Sequence, residues 1–69
     1  MIVGDNVLTN WHGRGVVVGF EDYSRLTLVE TDTQPEHEEY RVMVKFPVAP
    51  YPHKTDVLYM WRREMVVVE

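Results

Sequence analysis

The sequence predicts an all-β fold: a small closed barrel of five or six antiparallel strands, with a short 3-10 turn before the last strand. Three observations predict it. Short runs of alternating apolar and polar residues recur along the chain, most cleanly in Tyr40-Arg41-Val42-Met43-Val44-Lys45-Phe46, and that period of two belongs to a half-buried strand. Glycine and proline punctuate those runs, above all in Gly13-Arg14-Gly15-Val16-Val17-Val18-Gly19-Phe20 and in the segment from Pro47 to Pro52, as turns between strands require. No stretch of useful length carries the 3.6-residue period of a helix.

Val3 to Asn10 reads as the first strand, with Gly4-Asp5 as a small opening turn. Asn10 to Gly15 is a turn hinged at Gly13 and Gly15, since glycine tolerates the left-handed backbone that tight turns need. Arg14 to Tyr23 is the second strand. Strict alternation would put Val16, Val18 and Phe20 on one face and Val17, Gly19 and Glu21 on the other. Gly19 in mid-strand signals a bulge or sharp bend, as closure of a small barrel demands.

Asp22-Tyr23-Ser24 reads as a turn, and Arg25 to Glu30 as a third strand in a hairpin with the second. Thr31 to Glu38 has no apolar residue except Pro35 and is expected to be an exposed loop. Glu39 to Phe46 is the fourth strand, with Tyr40, Val42, Val44 and Phe46 inward and Arg41, Met43 and Lys45 outward. Pro47, Pro50 and Pro52 exclude residues 47–54 from a sheet interior. Thr55 to Trp61 is the next strand, Trp61 to Glu64 a single tight turn of helix, and Met65 to Glu69 a closing strand.

The 69 residues are expected to form one domain. A core this small supplies only about 3–5 kcal/mol of net stability. With no cysteine, neither a disulfide nor a thiolate-bound zinc can add to it, and the lack of cysteine fits a reducing compartment. Met1-Ile2-Val3-Gly4-Asp5 has no basic start, and the longest aliphatic runs, Val16–Val18 and Met65–Val68, fall far short of the ~20 residues of a membrane span. The expectation is a soluble, cytoplasmic protein. Net charge is −4, against the basic face of a nonspecific nucleic-acid binder. The charge is segregated: residues 21–39 carry seven acids and one base, a net −6, while the remainder has four acids and six bases, a net +2.

Gly4-Asp5-x-Val7, the aromatic Trp11 and Gly13-x-Gly15-x-Val17 form an opening that resembles that of small SH3-like, Tudor-like and KOW-like barrels. The nearest resemblance is to the C-terminal Tudor-like domain of UvrD/PcrA-type helicases, followed by the CarD-type polymerase-binding domain. Val42-x-Val44-x-Phe46 sits where those domains carry a Val-x-Phe strand. Leu58-x-Met60 followed by Met65-x-Val67 resembles their final strand, turn and strand. The resemblance implies an SH3-like barrel docked on RNA polymerase, a helicase or a related transcription or replication machine.

Candidate partner-binding residues are Trp11, Tyr23, Tyr51, Tyr59 and Trp61, because aromatic rings dominate interface energetics; the other reading packs each ring into the core or its rim. Trp61 either caps the barrel end or projects beside Arg62 and Arg63, and alternation does not decide. Glu36, Glu38 and Glu39 make the acidic hairpin a candidate for docking into a basic groove, or simply a solvated loop. Arg14, Arg41, Lys45, Arg62 and Arg63 are candidates for nucleic-acid binding beside the tryptophans, or an ordinary charged exterior. His12, His37 and His53 lie 25 and 16 residues apart, unlike the close pairs of zinc sites, so neither metal nor cofactor is expected.

A catalytic role is not expected either. Ser24 is the sole serine and lacks a nucleophile elbow; no Gly-rich loop with lysine cradles a phosphate; no paired carboxylates suggest acid–base work. The preferred expectation is a non-enzymatic module that binds a protein partner, in the manner of a small phage-type regulator of a host enzyme. The alternatives are a nucleic-acid-binding barrel and a structural subunit of a larger assembly, including a homo-oligomer.

Overall fold

The computed structural model describes residues 1–22, 29–36 and 40–68. Six strands follow in order: β1 (Asn6–Thr9), β2 (Gly13–Asp22), β3 (Val29–Thr31), β4 (Tyr40–Lys45), β5 (Val57–Trp61) and, after a 3-10 turn at Arg62–Glu64, β6 (Met65–Val68). All pairings are antiparallel, in the order β5-β4-β2-β1-β6, with β3 also on β2. The expected all-β, barrel-like fold and its 3-10 turn before the last strand are both present. Pairing of β3 with the end of β2 also bears out the expected hairpin, although Tyr23 to Leu28 lie outside the described residues.

The long β2 organises the sheet. Its first half pairs β1 along one edge, its second half pairs β3 along that same edge, and β4 runs along the other. One strand can serve both neighbours only by bending, and it bends at a register shift between Val17 and Gly19. This is the bulge that Gly19 signals. The expected facing of β2 is corrected by it. The bulge adds one residue, so Val17 and Phe20, three apart, both point inward, while Val16 and Val18 are exposed. The opening segment supports the bend: Gly4 N–H donates to the Val17 carbonyl (2.8 Å), and Val17 N–H donates to the Asp5 carbonyl (2.9 Å). The first strand therefore begins at Asn6 rather than Val3, because residues 2–5 are a turn. That turn is closed by Asp5 N–H to the Ile2 carbonyl (3.1 Å) and by Ile2 N–H to Asp5 Oδ2 (3.0 Å).

The core comprises Val7, Val17, Phe20, Tyr40, Val42, Val44, Phe46, Leu58, Met60 and Met65. Tyr40, Val42, Val44 and Phe46 fill it in the alternation expected of β4. The Phe20 and Tyr40 rings meet edge-on at 6.0 Å. The hairpin from β4 to β5 is closed by Phe46 N–H donating to the Asp56 carbonyl (2.7 Å). Residues 47–54 stay outside the sheet. His53 N–H donates to the Pro50 carbonyl (2.7 Å) across a turn that contains the cis Tyr51–Pro52 bond.

The two glycines of the first turn have different jobs. Gly13 has φ +75° and is the hinge. Gly15 is not a hinge: it lies inside β2, and a Cβ there would overlap Val44 Cγ1 and stand 3.0 Å from the Lys45 carbonyl oxygen. Close approach of β2 to β4, not backbone freedom, is what requires glycine. Gly15→Ala is therefore expected to lose about 1–3 kcal/mol, read by urea unfolding, because the obstacle includes backbone. A midpoint equal to that of the parent would refute the close approach.

Candidate functional site

Two surfaces stand out on the outside of the sheet, and they differ in how far their polar groups are already satisfied. The first spans β2, β4 and β5. Glu21 and Arg41 are cross-strand partners, and the Arg41 guanidinium donates to Glu21 Oε1, from Nε at 2.8 Å. Glu21 is only 5% exposed, so its carboxylate is a nearly buried charge that depends on that pairing. The guanidinium also lies over the Tyr59 ring, 5.3 Å from its centroid. The Tyr59 hydroxyl donates to Glu30 Oε1 at 2.6 Å. That hydrogen bond, with some desolvation and the negative charge of Glu30, raises the Tyr59 hydroxyl above the ordinary tyrosine value. On the same face of β5, two residues on, Trp61 is half-buried and carries the Arg63 guanidinium 5.3 Å from its ring centroid. Arg62 donates through Nη1 to the Met65 carbonyl at 2.9 Å. Of the candidate cations, Arg41, Arg62 and Arg63 are thus each engaged within the barrel.

The second surface spans β6, β1 and β2 and continues to the start of the proline loop. Register aligns Leu8 with Val66 on one side and Arg14 on the other, and Asn6 with Val68 and Val16. Leu8, Val16, Val18 and Val66 are exposed there, Val66 at 56%. Lys45 lies directly across from Val16. Between β2 and the end of β4 the surface dips into an open groove of about 510 Å³, lined by Asn6, Arg14, Val16, Val18, Lys45 and Pro47, with Gly15 and Phe46 beneath. Arg14 and Lys45 pair with no acidic group among the described residues.

The remaining candidates are dispersed. Trp11 is 79% exposed at the tip of the β1–β2 turn. The Thr9 hydroxyl holds that turn, donating to the Gly13 carbonyl (2.8 Å) and accepting from His12 N–H (3.1 Å). Asn10 N–H ties it to the Glu64 carbonyl (2.9 Å). Tyr51, 94% exposed, stands on the proline loop. Glu36 is exposed and Pro35 beside it is buried. Tyr23, Glu38, Glu39 and His37 lie outside the described residues.

One convergence was hidden in the sequence. His12, from the first turn, and His53, from the proline loop, bring their rings to 5.5 Å, and His12 also packs edge-on against Phe46 at 5.9 Å. Spacing along the chain gave no sign of this contact. The pair knits the proline loop to the first turn; among the described residues no third histidine or carboxylate joins it as a metal-binding group. No described helix is long and apolar enough to cross a membrane. Comparison of the chain with protein-family models, with curated proteins and with solved structures finds no match.

Proposed function

We propose that the chain is a non-enzymatic protein-interaction module, a small SH3-like barrel held by a larger partner through the outer face of β6, β1 and β2. One observation carries this reading: Leu8, Val16, Val18 and Val66 stand exposed side by side on one sheet face. Contiguous apolar surface on a small protein marks an interaction site more often than chance exposure does. The order β5-β4-β2-β1-β6, with the two outermost strands consecutive and joined by a 3-10 turn, supports an SH3-like barrel. The resemblance of its opening residues to helicase and polymerase-binding barrels supports a transcription or replication machine as the partner.

A nucleic-acid-binding barrel is the second reading, and Arg14 and Lys45, unpaired among the described residues, favour it. Engagement of Arg41, Arg62 and Arg63 weakens it, because phosphate contacts draw on cations that are free to reach out.

The test is capture of partners from a host lysate, with Leu8→Glu/Val18→Glu beside the parent chain. Both side chains point to solvent, so circular dichroism should be unchanged. Recovery of the specific partner should fall about tenfold or more, the scale of one hot-spot side chain. Undiminished capture would remove this face from the interface. Binding to single-stranded DNA or RNA that weakens steeply with salt would move the assignment to the second reading.

A further inference from the structure

Resting on that reading, the groove between β2 and the end of β4 defines what kind of segment the partner presents. Arg14 and Val16 lie two apart on the outer face of β2, and Lys45 is directly across from Val16. Arg14 and Lys45 are therefore diagonal neighbours, about 7–8 Å apart at Cα. Both line the groove, on neighbouring strands and one residue-pair step apart along the strand direction. Side chains i and i+2 of an extended peptide are separated by about 6.6–6.8 Å on one face. The component of the Arg14–Lys45 separation along the strands is one such two-residue step.

We propose that the groove binds an extended, acidic-aliphatic peptide segment of the partner, with carboxylates at i and i+2 paired to Arg14 and Lys45 and an aliphatic side chain at i+4 on Val18. The sequence class is acidic-x-acidic-x-aliphatic. Asn6, exposed beside Val16, carries a donor and an acceptor for the main chain of that segment. The groove is open to solvent rather than enclosed, which suits a chain laid over it better than an enclosed small molecule. Its floor is aliphatic, from Val16, Val18 and Pro47, and offers no exposed ring for a base to stack on, which single-strand binders require. Charge complementarity then selects carboxylates over neutral polar groups and sets the orientation of the segment.

The test uses the full chain and an array of synthetic fluorescein-labelled octapeptides. Each peptide carries Glu-Xaa-Glu-Xaa followed by Val, Ile, Leu or Phe, and matched arrays replace both Glu residues by Gln or by Lys. Fluorescence anisotropy should show binding to the glutamate peptides, and about tenfold weaker binding to their glutamine counterparts. Arg14→Glu/Lys45→Glu should lose the glutamate peptides and gain the lysine peptides; both positions are exposed, so the fold should persist. Equal binding of the Glu and Gln arrays, or glutamate binding that survives the charge reversal, overturns the proposal. So does tighter binding of labelled oligothymidylate through the same two cations, and so does a concentration-dependent dimer abolished by the reversal, since the occupant would then be a second copy. If lysate capture fails with Leu8→Glu/Val18→Glu but is unaffected by the charge reversal, the interaction face stands and the acidic segment falls. If neither variant changes capture, both fall.

Discussion

Arg41→Met should leave much of the purified chain unfolded at room temperature. The substitution keeps the length and apolar stem of the side chain, so packing over Tyr59 is largely preserved. What it removes is the cation facing a carboxylate that is only 5% exposed. Separation of a nearly buried pair by removal of one partner costs about 3–5 kcal/mol, because the remaining charge is stranded. Arg41 keeps some solvent contact, with 30% of its side chain exposed, which places the loss toward the lower end. Even so, it equals the ~3–5 kcal/mol that a core of this size supplies. Far-ultraviolet circular dichroism and urea titration read the outcome directly. Glu21→Leu/Arg41→Met should recover most of the lost stability, since replacement of both members by apolar groups leaves no stranded charge. If the single variant unfolds no earlier than the parent, Glu21 is solvated in solution and the pair is not the clasp described above.

That clasp also explains why part of the functional reading could not be made from the sequence. Arg41 and Lys45 are two of a kind by pattern, both on the polar face of β4. Their difference comes from the other strands. Arg41 is paired to Glu21 on β2 and lies over Tyr59 on β5, whereas Lys45 has Val16 and Val57 as its neighbours. Which cation is paired across the sheet and which is left to solvent is set by register between segments 20 residues apart, and the local alternation contains no such information. The contact of His12 with His53 is of the same kind. Two loops meet because β1, β2 and β4 bring their ends together, not because of anything near either histidine.

Where the local pattern does suffice, it does so for a physical reason. β4 has a neighbour on each edge and the core on one face, so its apolar residues must alternate without interruption, and Tyr40, Val42, Val44 and Phe46 do. Pro47, Pro50 and Pro52 close the sheet's interior to their loop whatever else happens, because each lacks the N–H a ladder needs. The 3-10 turn was visible as the only short polar break between two apolar runs near the end of the chain. β2 is the case in between. Gly19 announces the bulge, but the direction in which each valine points depends on whether the extra residue comes before or after Val18. Three consecutive valines give no clue to that choice.

The second large effect tests that choice. Phe20→Ala should cost about 3–5 kcal/mol, the loss expected when a fully buried ring leaves a cavity. Phe20 has no exposed surface, and its ring meets Tyr40 edge-on at the point where β2 crosses from β1 to β3. Little can collapse into the vacancy, since its cross-strand partner Val42 is short, fully buried and held by the ladder. In a domain with so little stability to spare, the variant should be unfolded by circular dichroism and degraded quickly in limited proteolysis. The valines on either side give the control. Val17→Ala, at a buried position, should lose about 1.5–3 kcal/mol. Val18→Ala, at an exposed position, should stay within about 0.5 kcal/mol of the parent. An unbroken alternation through residue 20 would reverse that ranking, with Val18 beside Phe20 in the core and Val17 outside. Equal losses at Val17 and Val18, or the greater loss at Val18, would refute the bulge. The exposed aliphatic face would go with it, because Val16 and Val18 reach the surface only if β2 takes its extra residue between Val17 and Gly19.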